Sequence, residues 1–133
     1  QKEVIENLKL ELILHQQERI DALSLLKSKL YTELLRSKIE EKKGLTQKEQ
    51  QFVYQVFDEH LPDYQKSLFR LVSLSDTELI VCYLIKVGVS PNEIAILINR
   101  TVQAISLIRA RLYEKVFHKK GKPSDWDSFL NSI

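Results

Sequence analysis

Along residues 1–43, apolar side chains recur at three- and four-residue intervals, with no Gly or Pro among them. They fall at Val4, Ile5, Leu8, Leu12 and Ile13, then at Ile20, Leu23, Leu26, Leu30, Leu34 and Ile39. Such spacing puts an apolar stripe on one side of a helix. The polar run His15-Gln16-Gln17-Glu18-Arg19 interrupts the stripe. Either one long helix carries a polar gap or two helices meet there. Ile20, Leu23, Leu30 and Leu34 keep a seven-residue repeat for two heptads, broken by Lys27. The stripe either packs on the C-terminal part of the same chain or forms a dimer seam. So long a stripe has few partners in the remaining 90 residues, which favours a homodimer joined through Ile20, Leu23, Leu30 and Leu34.

The rest of the chain is divided by capping signals. Lys43-Gly44 ends the first segment, and Thr46 with Glu49 opens a helix through about Glu59. Its apolar face is Phe52, Val53, Val56 and Phe57. Pro62 breaks it, and Asp63 is expected to cap a short helix carrying Leu68, Phe69 and Leu71. Residues 44–73 thus read as connecting helices. Residues 74–118 read as a tri-helical unit. Ser75 with Glu78, and Ser90-Pro91 with Glu93, are two capping boxes, and Gly88 fits the left-handed position past a helix end. Asn99-Arg100-Thr101 is a short break, with Thr101 capping a third helix from Val102 to Val116. Two short helices, a tight turn and a longer helix bearing Arg109, Arg111 and Lys115 predict a helix-turn-helix reader of nucleic acid. Beyond it, residues 119–133 form a basic loop and a last helix, capped by Ser124 and Asp125, that docks through Trp126, Phe129, Leu130 and Ile133. The predicted fold is all-α: a long N-terminal amphipathic helix, or two, followed by a helix-turn-helix domain.

Composition agrees and narrows the function. Only three Gly and three Pro, with many Leu, Lys and Glu, suit an all-helical chain. The single Cys82 lies in an apolar run and reads as a packing residue, which excludes a disulfide framework within one chain. The chain starts at Gln1 and contains no Met, so it is expected to be a piece of a longer protein. No apolar run is long enough for a transmembrane helix and no signal peptide is visible. A cytoplasmic location is expected, with no membrane contact by this piece, and with room for a membrane tether upstream. His15, His60 and His118 are scattered without metal-ligand spacing, and there is no CxxC and no Gly-rich phosphate loop. The pattern points away from an enzyme, a metal protein and a cofactor-binding protein.

Charge distribution points to nucleic acid. The whole chain carries only +2, but residues 100–122 hold seven Lys/Arg against one acid, Glu114, a net +6. Such a stretch can hold a phosphate backbone. On the helix from Val102, Ile105, Ile108 or the stem of Arg109, Leu112 and Val116 should face the core, leaving Gln103, Ser106, Leu107, Ala110 and Arg111 outward. Gln103 suits an adenine edge or serves as an exposed helix former. Leu107 and Ala110 suit thymine methyls or a protein partner. Arg109 and Arg111 lie about 200° apart, so only one can look into a groove; the other meets phosphate or an acidic neighbour. Arg100, Thr101, Lys115, Lys119 and Lys120 complete the candidate contacts with double-stranded DNA.

The stretch also resembles the LuxR-type helix-turn-helix, through Leu74-Ser75, Glu78, Leu84, Gly88, Ser90, Asn92-Glu93-Ile94-Ala95, Ile98-Asn99, Ala104-Ile105, Leu112 and Lys115-Val116. With Phe57–Asp63, Arg109–Lys115 and Gly121–Asp127 added, it is similar to the C-terminal region of Bacteroidetes sensor-regulators. The resemblance implies DNA-binding transcription regulation as a dimer. Where that family often has Lys this chain has Ser106; its usual His is Ile108, and its polar or basic residue is Ala110. These departures shift weight from base contacts to phosphate contacts. The alternative is a helical protein-interaction module that has lost DNA binding.

Overall fold

The computed structural model describes all residues, Gln1–Ile133, and is entirely helical. Helix α1 (Lys2–Leu30) runs through a π-turn (Tyr31–Leu35) into α2 (Arg36–Glu41), one continuous rod over residues 2–41. No second helix starts at residues 15–19, because His, Gln, Glu and Arg all tolerate the helix interior and nothing there caps a new one. The rod ends with Lys42 in the left-handed conformation (φ 54°), and Lys43 N–H closes back on the Lys38 carbonyl. The left-handed residue is therefore Lys42 and not the Gly two positions on.

The later breaks follow the local chemistry. Helix α3 (Gln47–His60) opens with the complete Thr46–Glu49 capping box. Helix α4 (Pro62–Leu71) starts directly on Pro62, so Asp63 sits in its first turn and is not the expected cap. Helices α5 (Asp76–Lys86) and α6 (Pro91–Leu97) open with the Ser75–Glu78 and Ser90–Glu93 boxes, and Gly88 between them has φ +84°. Helix α7 (Val102–Phe117) is capped by Thr101, whose hydroxyl accepts from Ala104 N–H at 3.1 Å. Helix α8 (Pro123–Ser132) starts two residues earlier than a Ser124 cap would place it, with Asp125 accepting from Lys122 N–H at 2.7 Å.

The core is organised around α5, which is buried from Leu79 to Lys86. A helix buried on every side must be wrapped, and α3, α6 and α8 pack around it. Phe57, Tyr64 and Tyr83 stack at 4.2–5.7 Å between ring centres, and Tyr64 Oη donates to the Cys82 carbonyl. On the α8 side Trp126 and Leu130 are fully buried. Burial pushes the Cys82 thiol up to about 12, outweighing the opposite pull of the Trp126 indole beside it.

The N-terminal rod joins this body mainly through its second half, with one bond further back, from Arg19 to the Ile133 carbonyl. Leu26, Leu30, Leu34 and Leu35 are in the core, against α3. Leu30 and Leu34, two of the four residues expected at a dimer seam, are thus covered by the chain itself. The reason is the π-turn, which inserts one residue into the turn and brings Leu34 and Leu35 inward together. Ile20 is exposed and Leu23 half-buried. N-terminal to Asp21 every residue is exposed, and the eight Val, Ile and Leu residues from Val4 to Ile20 are each 53–63% exposed. This arm is about 30 Å long at 1.5 Å per residue. No helix of the protein is long and apolar enough to cross a membrane.

Candidate nucleic-acid interface

The turn Asn99-Arg100-Thr101 sets the direction of α7. Asn99 adopts φ 55°, and Arg100 N–H returns to the Ala95 carbonyl at 3.0 Å, so α6 closes before Thr101 caps the next helix. The loop after α2 is bonded to the same place: Leu45 N–H donates to the Leu97 carbonyl at 2.7 Å. The start of α7 is therefore held from two sides.

One face of α7 is core and one is open. Ile105, Arg109 and Leu112 are buried, with Ile108 and Val116 half-buried behind them. Gln103, Leu107 and Arg111 are exposed, and Ser106 and Ala110 are half-buried beside them. The face assignment from the 3.6-residue period thus holds for Ile105, Arg109 and Leu112 on the core side and for Gln103, Leu107 and Arg111 on the open side, while Ser106, Ile108, Ala110 and Val116 lie at the borders.

Arg109 is the correction. It is 6% exposed, its Nε donates to Asp127 Oδ1 at 2.9 Å and its Nη2 to Asp127 Oδ2. The guanidinium is spent on a bidentate ion pair that fastens α7 to α8. It cannot also reach a groove while α8 is docked. The acidic partner is 18 positions away, in a helix whose approach the sequence does not announce.

The remaining cations form the open charge. Arg100, Arg111, Lys115, Lys119 and Lys120 are exposed, and none of them lies within 4 Å of a carboxylate. Lys115 donates to the Ser73 carbonyl at 3.4 Å, which leans it towards the loop before α5. Lys119 and Lys120 follow His118, whose left-handed backbone (φ 58°) turns the chain sharply at the end of α7. Lys122, exposed in the same loop, extends the group. Thr101 is committed to its cap. Sequence reasoning missed Lys42, exposed just before the loop that the Leu45–Leu97 bond ties to the end of α6, whereas Lys43 beside it lies 3.6 Å from Glu41; the tight Lys-Lys-Gly run was the only signal. Elsewhere, His60 Nδ1 lies 3.0 Å from the Val56 carbonyl, one turn back on its own helix, and no group of three His, Cys, Asp or Glu could hold a metal ion.

No family model, no curated protein and no solved structure matches the chain.

Proposed function

We propose that the chain is a DNA-binding transcription regulator that presents α7 to the major groove of double-stranded DNA. The observation that carries this is the concentration of exposed, acid-free cations on α7 and the loop after it, with Arg111 on the same face as Gln103 and Leu107. Phosphate would be held by Arg100, Lys115, Lys119 and Lys120, and the groove entered by Gln103, Leu107 and Arg111. The three-helix order with short turns and the LuxR-type sequence resemblance support the same function.

A second function has its own support. Leu107 is 49% exposed with half-buried Ala110 beside it on the same side of α7, a small apolar face that suits a protein partner. Mobility-shift titrations of the protein on genomic fragments at low and raised salt separate the two. Binding that weakens with salt, and weakens further with Arg111→Ala but not with Glu41→Ala, is the DNA outcome. Absence of any shift at low salt rejects it in favour of the protein-interaction module.

A further inference from the structure

The basic loop that follows α7 is held at both ends and from beneath. At its start His118 is left-handed (φ 58°), and its N–H returns to the Glu114 carbonyl at 2.8 Å. At its end the Asp125 carboxylate accepts from Lys122 N–H at 2.7 Å, and Pro123 opens α8. Between the two, Gly121 lies against the Tyr113 ring. A Cβ at that position would overlap ring atoms Cδ1 and Cε1 and come within 3.0 Å of Asp125 Oδ2. Only Gly leaves room for so close an approach.

The ring beneath is itself backed. Tyr113 is half-buried and leans on Phe117, with 4.6 Å between ring centres. Phe117 meets Phe129 edge-on at 5.0 Å, and Phe129 meets Trp126 at 5.4 Å. Trp126 is fully buried, so a row of rings runs from the loop into the core. Lys119, Lys120 and Lys122 therefore stand exposed on a backbone fixed at three points. None of their amines lies within 4 Å of a carboxylate. Of the acids in the adjoining turns, Asp125 accepts a backbone N–H, Asp127 holds Arg109, and Glu114 stands in solvent on α7. A segment that must be ordered on binding loses affinity to that ordering; one already in place does not.

We propose that residues 118–122 are a preformed phosphate clamp, in which Gly121 and Tyr113 are positioning residues that hold Lys119 and Lys120 against the DNA backbone. The proposal rests on the reading of α7 as the helix that enters the groove. That helix has 16 residues, which makes it about 24 Å long at 1.5 Å per residue. The major groove is about 12 Å wide. A helix crossing such a groove reaches the backbone on either side of it. Arg100 stands at one end of α7 and the clamp at the other, so the two meet opposite walls of the groove. The clamp touches phosphate and no base edge, and its contribution is the same on every sequence.

Titrations of duplex DNA in a salt series test this. Lys119→Ala with Lys120→Ala should lower the slope of log K against log salt by about 1.8, at about 0.9 per phosphate contact, equally on duplexes of different sequence. Gly121→Ala, with both lysines present, should lower the slope as far, and adding the two lysine substitutions to it should lower it no further. Tyr113→Ala should act as Gly121→Ala does, and Tyr113→Phe as the parent protein, because the loop is seated on the ring. A loss of fold stability alone leaves the slope of the folded protein unaltered, so the slope reads position. Backbone ¹⁵N relaxation of the free protein gives a second reading: the amides of Lys119 and Lys120 should be as ordered as those of α7 in the parent and mobile in Gly121→Ala. Loop amides that are mobile in the parent overturn the proposal. So does the parent slope in either Gly121→Ala or the double lysine variant, or a further fall when the two are combined. A parent protein that binds no DNA rejects the proposed function and the clamp with it; a parent that binds while the loop variants keep its slope rejects the clamp alone.

Discussion

Arg109 and Arg111 stand two positions apart and end in different surroundings. Arg109 is enclosed against Asp127, and Arg111 is in solvent. Removing the carboxylate by Asp127→Ala leaves a buried guanidinium unpaired, and should destabilise the fold by about 3 kcal/mol in chemical denaturation. Arg111→Ala should leave the unfolding midpoint unchanged and cost about 1–3 kcal/mol of DNA binding with relaxed specificity at the position it reads, read in mobility-shift titrations on varied sequences. The two variants thus separate stability from binding. That only one of the pair could face outward was legible from the helical period. The same period put Arg111 outward and the stem of Arg109 inward; what it left open was the partner of the Arg109 guanidinium, because that depends on where Asp127 sits. Cys82 was legible as a packing residue for a simpler reason: it lies within an unbroken apolar run, and α5 is buried on all sides.

Helix boundaries follow from chemistry within four residues, and most were legible for that reason. Thr46, Ser75, Ser90 and Thr101 each accept the backbone N–H three positions on. Ser75→Ala should cost about 1 kcal/mol, read as a lower thermal midpoint, because it removes the partner of an orphan donor at the start of the central helix. The rod over residues 2–41 shows the converse. Its end was correct to a residue or two, but the left-handed position fell on Lys42. Lys42→Gly should therefore stabilise the protein by about 0.5–1 kcal/mol, since Gly adopts that conformation without the Cβ penalty. The π-turn was not legible. Its extra residue changes the phase of the stripe, and only packing on α3 selects Leu34 and Leu35 together.

At the level of the whole molecule, ties between distant helices decide stability against pH and hold the candidate interface in place. Lys38 Nζ lies 2.8 Å from Glu49 Oε1, joining the rod to the first turn of α3. Burial raises the Glu49 pKa, but its bonds to Lys38 and Thr46 prevail and hold it below the ordinary carboxylate value. A depressed carboxylate contributes stability that is complete above its unfolded pKa and is lost as pH falls through its folded value. Glu49→Gln should accordingly lower stability at neutral pH and flatten the acid limb of the stability-against-pH curve below about pH 4.5, where the variant and the parent protein converge. The sequence by itself determined the all-α class, most of the helix boundaries, the open and closed faces of α7 and the charge bias that follows it. These depend on period, caps and composition, which act over a few residues. Tertiary structure alone decided that Leu30 and Leu34 belong to the core, that Arg109 is held by Asp127, and that the apolar residues from Val4 to Leu14 are left exposed. Each of those depends on which distant helix arrives alongside, and a helical stripe looks the same in sequence whether its own chain or another one covers it.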